Sequence, residues 1–235
     1  MRRVVIAASV ACLAVSSASA LTLIATRESG YFAGNGGEFS IFGTGFEANY
    51  AANVIVTTTR GTGFQTFCLE VNESLIVPRM YEYTMETYAI EGGVGGADPV
   101  LGGDPLGRGT AWLYRQFATG TLALYDYSPG PGREASAGML QQAFWYLEDE
   151  ITLADWTANP FLSLAASQWG GDINEAKETA TLAELGGVRV LNPFLQGTHY
   201  QSVLVYTRVP DGGLTIGLLG LSLAGLSRMR RRLMA

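Results

Sequence analysis

The sequence has little histidine and little cysteine. Among 235 residues there is one histidine, His199, and there are two cysteines, Cys12 and Cys68. A histidine-based catalytic triad or a histidine-rich zinc site would have to rest on His199 alone. We therefore expect a protein that is not an enzyme and that carries no metal and no cofactor.

The exported region described below contains a single thiol. Cys12 lies in the apolar N-terminal segment, so Cys68 has no partner with which to form an intramolecular disulfide. A lone thiol in an oxidising compartment indicates intermolecular pairing, a reactive role or a buried, inert side chain.

Long hydrophobic runs are also missing. A charge-free apolar run covers residues 214–227, which is 14 residues. As a helix it would span roughly 21 Å, against roughly 30 Å for the hydrocarbon core of a bilayer. Length alone favours a buried helix, but arginines follow the run directly and suit the cytoplasmic face of a membrane. We therefore predict one short transmembrane segment, followed by the basic cluster Arg228, Arg230, Arg231 and Arg232.

The N-terminus has the three parts of a secretory signal peptide. Arg2 and Arg3 form a positive start, residues 4–15 are apolar, and residues 18–20 are small. This pattern predicts a signal peptide over residues 1–20 that is cleaved after Ala20.

Positive charge is scarce between the two ends. Residues 21–208 contain nine basic and 20 acidic residues, a net charge of −11, whereas the whole chain has −6. Such a surface repels nucleic acid, so no nucleic-acid partner is expected.

The C-terminal tail carries a turn motif before its apolar run. The motif consists of Val209, Pro210, Asp211, Gly212 and Gly213. Motif, apolar run and arginine cluster together resemble a PEP-CTERM-type sorting tail, in its Val-Pro-Asp-Gly-Gly variant, over residues 209–235. The resemblance implies recognition by an exosortase. It also implies transient attachment to the inner membrane by the C-terminal helix, and then delivery to the cell surface or extracellular matrix. A plain membrane anchor is the alternative.

The region between signal peptide and tail predicts one domain, residues 21–208. Strands are predicted at 21–26, 38–42, 53–59, 64–71, 81–90, 188–191 and 200–207, and helices at 110–119, 134–150 and 173–185. Strands followed by helices and then strands indicate a mainly β protein of the α+β class. We expect a β-sandwich or barrel with a helical insertion at about residues 105–185.

Two short motifs could carry chemistry. Cys68 follows an aromatic residue on a predicted strand, and Gln141 opens the helical stretch Gln-Gln-Ala-Phe-Trp that ends at Trp145. Together they resemble the thioester domains of bacterial surface adhesins, in which a strand cysteine and a helix glutamine condense into an internal thioester. The resemblance implies a Cys68–Gln141 thioester that couples covalently to amines on a surface or matrix polymer.

The chain departs from that family's pattern at two positions. Leu140 replaces the threonine before the glutamine, and Phe144 replaces an aliphatic residue. The alternative is a buried, inert Cys68 with Gln141 bonded to neighbouring backbone. The protein would then be a non-covalent structural or carbohydrate-binding component of the exopolysaccharide matrix.

Overall fold

The computed structural model describes residues 21–34 and 36–207. The predicted signal peptide (1–20), the sorting motif (209–213), the apolar run (214–227) and the arginine cluster lie outside the described residues. Within the described ranges, no helix combines the length and apolar character needed to cross a bilayer.

Within residues 21–34 and 36–207, ten strands make up the sheet structure. They are β1 (Thr22–Thr26), β2 (Phe39–Phe42), β3 (Ile55–Thr58), β4 (Gly61–Thr66), β5 (Arg79–Glu86), β6 (Tyr88–Ala89), β7 (Asp104–Pro105), β8 (Val188–Leu195), β9 (Thr198–His199) and β10 (Val203–Tyr206). Eight form one sheet in the order β10-β8-β5-β1-β2-β4-β3, with β9 paired to β8, while β6 and β7 form a separate pair. The pairings between these strands are antiparallel.

The helices lie between β7 and β8 in the chain. They are α1 (Arg108–Ala118), α2 (Pro131–Leu147), α3 (Pro160–Gln168), α4 (Ile173–Lys177) and α5 (Leu182–Leu185). Short 3-10 helices occupy Glu47–Asn49, Ala52–Val54 and Trp156–Ala158. The predicted combination of strands with a helical block between them is confirmed at this coarse level.

The sheet curves until distant strands meet. Beyond Thr66, the chain continues from β4 as the segment Phe67–Leu69, which lies beside β10. Cys68 forms an isolated antiparallel bridge with Val203. The flanking bonds run from Leu204 N–H to the Phe67 carbonyl (3.1 Å) and from Leu69 N–H to the Ser202 carbonyl (3.1 Å). We call this junction the seam.

A buried ion pair ties the loop before β2 to the start of α2. Arg133 donates from Nε and Nη2 to the Glu38 carboxylate (2.7 and 2.8 Å), and Tyr125 donates its hydroxyl to the same carboxylate. Glu38 and Arg133 are at most 1 % exposed. Burial raises the pKa of Glu38, and the ion pair with Arg133 opposes that rise.

Several predicted boundaries were wrong. The predicted strands 53–59 and 64–71 leave residues 60–63 for the turn between them, but the turn lies earlier, since Thr58 pairs with Gly61 and β4 starts at that glycine. The single helix expected over 173–185 is two helices, because Glu178 leaves the helical conformation and Thr181 caps a new start. Helix α3 was not predicted, and β8 extends four residues beyond the predicted 188–191.

Candidate functional site

Cys68 lies at the seam with its backbone turned away from β10. In an antiparallel bridge whose hydrogen bonds are made by the flanking residues, the bridge residue's own N–H and C=O point to the opposite side. For Cys68 this side is occupied by a side chain of α2 rather than by another strand.

The side chain of Gln141 fills that place. Cys68 N–H donates to Gln141 Oε1 (3.0 Å), and Gln141 Nε2 donates to the Cys68 carbonyl (2.8 Å). The two bonds hold the Gln141 carboxamide against the backbone of Cys68. The structure thus brings together the two residues that the sequence singled out, although 73 positions separate them.

Helix α2 selects which glutamine reaches the seam. Its buried face contains Ala137, Leu140, Gln141 and Phe144, whereas Gln142 is exposed. Neighbouring helical residues point about 100° apart, so the adjacent Gln142 cannot reach the same place. Trp145 follows Gln141 by four residues and lies on the same face of α2.

Aromatic side chains enclose the pair. The Phe67 ring packs edge-on against Phe117 and Phe144, with ring centroids 5.0 and 5.2 Å apart. Cys68 is fully buried and Gln141 is 1 % exposed. Burial, followed by the negative charge of Glu70, raises the pKa of the Cys68 thiol well above its usual value.

Two glycines that the sequence analysis did not single out complete the enclosure. A Cβ built on Gly36 would lie 2.1 Å from Gln141 Cγ, and one on Gly37 would lie 2.2 Å from Phe67 Cδ1. Real contacts of a Cβ are never so close, so the backbone of this loop touches the site because both residues are glycine. Their adjacency within a glycine- and aromatic-rich stretch was the available signal.

A cleft of about 340 Å³ lies at the segment that follows Cys68 in the chain, from Val71 to Leu75. Its lining includes Arg27, Glu73, Trp145 and Gln201. Arg27 and Glu73 both influence the pKa of the Cys68 thiol, Arg27 lowering it and Glu73 raising it after the larger effects of burial and Glu70.

Two further polar residues, Asp172 and His199, have structural positions. Asp172 caps α4 by accepting a hydrogen bond from Asn174 N–H (2.9 Å). His199 lies in β9 and pairs with Phe194. Neither residue belongs to the Cys68–Gln141 site.

No protein-family model, curated protein or solved structure matches this chain.

Proposed function

We propose that the chain is an exported bacterial surface or matrix protein whose domain forms an internal thioester between Cys68 and Gln141 and couples through it to amines. The observation that carries the proposal is the pair of hydrogen bonds between the Gln141 carboxamide and the Cys68 backbone. A thiol and a carboxamide must be held in contact to condense, and here both are buried from water.

The condensation replaces the C–N bond of the Gln141 carboxamide by a C–S bond to Cys68. The Cys68 sulfur attacks the Gln141 carboxamide carbon, the C–N bond breaks, and Nε2 leaves as ammonia with the thiol proton. Negative charge develops on Gln141 Oε1 during the attack. Cys68 N–H already donates to that oxygen, so it can stabilise the charge.

In the coupling step the Cys68 sulfur becomes the leaving group. A primary amine attacks the thioester carbonyl, a stable amide forms at Gln141, and Cys68 is released as a thiol. The chain itself offers few competing amines, since Lys177 is its only lysine and is paired with Asp149. This scarcity favours reaction with a partner over reaction within the protein.

Export would follow the sorting signals. Cleavage after Ala20 would deliver the domain across the inner membrane, and an exosortase would process the tail near residues 209–213. The domain would then reach the cell surface or extracellular matrix, where an amine-bearing polymer is the expected partner.

One observation favours a second function. The Gln141 carboxamide is already hydrogen-bonded at both Oε1 and Nε2, which is also what a purely structural glutamine would do. Under this alternative the protein is a non-covalent structural or carbohydrate-binding component of the exopolysaccharide matrix.

Mass spectrometry of the full chain separates the two functions. A thioester makes the wild-type protein lighter by one ammonia, joins the peptides containing Cys68 and Gln141, and is opened by methylamine with addition of one methylamine. Cys68→Ala and Gln141→Ala should abolish the mass loss. Gln142→Ala, one position along the helix, should retain it. An unshifted wild-type mass together with a titratable Cys68 thiol would refute the thioester.

A further inference from the structure

The carboxyl group of Glu70 lies next to the Cys68–Val203 bridge in the seam. In a regular antiparallel ladder, Ser202 N–H would donate to the carbonyl of Leu69, whose own N–H donates to the Ser202 carbonyl. Ser202 N–H instead donates to Oε2 of Glu70 (2.9 Å). The Glu70 carboxyl group is therefore part of the hydrogen-bonded ladder that holds Cys68 in place.

The other carboxyl oxygen of Glu70 has no partner. The residue is 2 % exposed, and its Oε1 is buried without a hydrogen bond to any residue among 21–34 and 36–207. Gln201 donates from Nε2 to the Glu70 carbonyl, so the backbone is fixed as well as the side chain. A buried carboxyl group that is held at one oxygen and unsatisfied at the other is uncommon, and it indicates a catalytic role or ordered water.

Glu70 has the largest effect of any charged group on the Cys68 thiol. Burial is the first cause of the raised thiol pKa, and the charge of Glu70 is the second. Arg27, which lowers that pKa, and Glu73, which raises it, have smaller effects. Because the interaction between two charges weakens with distance, this order agrees with the position of Glu70 beside Cys68 in the seam.

The surroundings of Glu70 keep its carboxyl group protonated. Burial and then the charge of Glu73 raise the pKa of Glu70 to about 8. The other charged groups of this cluster are Arg27, near the thiol, and Glu91 and Glu150, which add negative charge near Glu73. At neutral pH the Glu70 carboxyl group is therefore mainly a proton donor.

We propose that Glu70 is the acid that protonates the Cys68 sulfur as the sulfur leaves during coupling. This proposal rests on the proposed thioester and deepens it by naming its proton donor. When a neutral amine attacks the Gln141 carbonyl carbon, a C–N bond forms and the C–S bond breaks. The Glu70 proton passes to the sulfur, and the attacking nitrogen gives up a proton that restores the Glu70 carboxyl group. No proton is gained or lost overall.

The Cys68 sulfur needs such a donor because its ionised form is a poor leaving group. The residue is fully buried, and burial raises the pKa of its thiol well above the usual value. A thiolate is therefore disfavoured at this position. Transfer of a proton to the sulfur during its departure avoids that negative charge.

Opening of the thioester by hydroxylamine tests the role of Glu70 in the full-length protein, because hydroxylamine is uncharged at neutral and mildly alkaline pH. The hydroxylamine-dependent rate of the wild-type protein should fall about tenfold between about pH 7 and about pH 9, because about a tenth of Glu70 stays protonated one pH unit above its pKa of about 8. Glu70→Gln should be about a hundredfold slower at neutral pH and should lose this fall. Glu82→Gln, at an exposed position of β5, should keep the wild-type profile.

Glu73→Gln provides a second readout, which a purely structural role of Glu70 would not change. Removing the charge of Glu73 should lower the pKa of Glu70 and move the fall in rate to lower pH. This shift also decides the question if Glu70→Gln does not form the thioester. A wild-type mass without the loss of ammonia refutes the thioester, and the role of Glu70 with it, before any rate is measured. A mass loss with a pH-independent rate, or with the same pH profile in wild type and Glu73→Gln, refutes the role of Glu70 alone.

Discussion

Gly36 touches Gln141 so closely that a Cβ at Gly36 would lie 2.1 Å from Gln141 Cγ. The contact involves the middle of the side chain, whose end is held by Cys68 on both sides. Gln141 therefore cannot retreat without breaking the bonds that align its carboxamide.

Gly36→Ala is expected to disturb the site and the fold together. Overpacking a buried contact costs about 1–3 kcal/mol of stability, and displacement of Gln141 should also reduce the yield of thioester. Urea unfolding and intact mass measure the two effects. Gly95→Ala is the matched control, because a Cβ there meets nothing within 4 Å. Equal stability of the two variants would contradict the close packing at Gly36.

The Glu38–Arg133 ion pair should be far more important than a surface pair. Arg133→Met leaves a buried carboxylate without its partner, which costs about 3–5 kcal/mol. Asp149→Asn removes a pair with Lys177 whose acidic side chain is 77 % exposed, and it should cost less than about 1 kcal/mol. Denaturant unfolding at neutral pH compares the variants. A similar loss for both would show that burial does not govern the contribution of these pairs.

Stability should fall as the pH rises from about 5 to 8. Burial and the charge of Glu73 raise the pKa of Glu70 from 4.5 to about 8. The folded protein then keeps a proton on Glu70 that the unfolded chain releases above pH 4.5. The stabilisation that this proton provides is therefore complete below pH 4.5 and is lost as the pH rises to the folded-state pKa of about 8. Each such group contributes a slope of up to about 1.4 kcal/mol per pH unit.

Glu70→Gln should make this pH dependence shallower. Some slope should remain, since burial also raises the pKa of Glu148 to about 8 and that of Asp104 to about 6. Free energies of unfolding measured by urea at several pH values provide the comparison, with Glu82→Gln as the exposed control. An unchanged slope in Glu70→Gln would contradict the raised pKa.

The sorting proposal predicts distinct fates for two tail variants. Removing residues 209–235 should release the domain without any membrane-bound form. Replacing Pro210 and Asp211 by alanine should leave the membrane segment attached and trap the chain in the inner membrane. Fractionation of cells that contain an exosortase distinguishes these outcomes. Normal release of the alanine variant would show that the motif is not the processing signal.

The sequence indicated which two residues form the site, but it did not indicate which residues enclose them. Cys68 and Gln141 stood out because short motifs surround each of them. Gly36 and Gly37 did not, because paired glycines are also ordinary in turns and only their three-dimensional contacts distinguish them. Glu70 and Glu73 could not be told apart from the other acidic residues among the 20 of residues 21–208, since burial rather than residue type makes them unusual.

The strands and helices could likewise be predicted only in part. The predicted strands 21–26 and 38–42 match β1 and β2 to within one residue, whereas the predicted strand 81–90 covers most of β5 and also β6. Helix α3 was missed although Asn159 caps it and Pro160 occupies its first turn, both of which are recognised start signals. The capping box of Thr181 and Glu184 was likewise present in the sequence and marks where the predicted long helix divides.

The seam also has a consequence for the order of events during export. Thr66 donates its hydroxyl to the Leu204 carbonyl across 138 positions, so the wall behind Cys68 is built from the last described strand. Under the proposed export, a chain that crosses the membrane from its N-terminus would present this thiol to the oxidising compartment long before β10 arrives to cover it. Contacts so distant in sequence form slowly. The time between translocation of Cys68 and docking of β10 is therefore the interval in which the thiol is most open to oxidation or to a wrong partner.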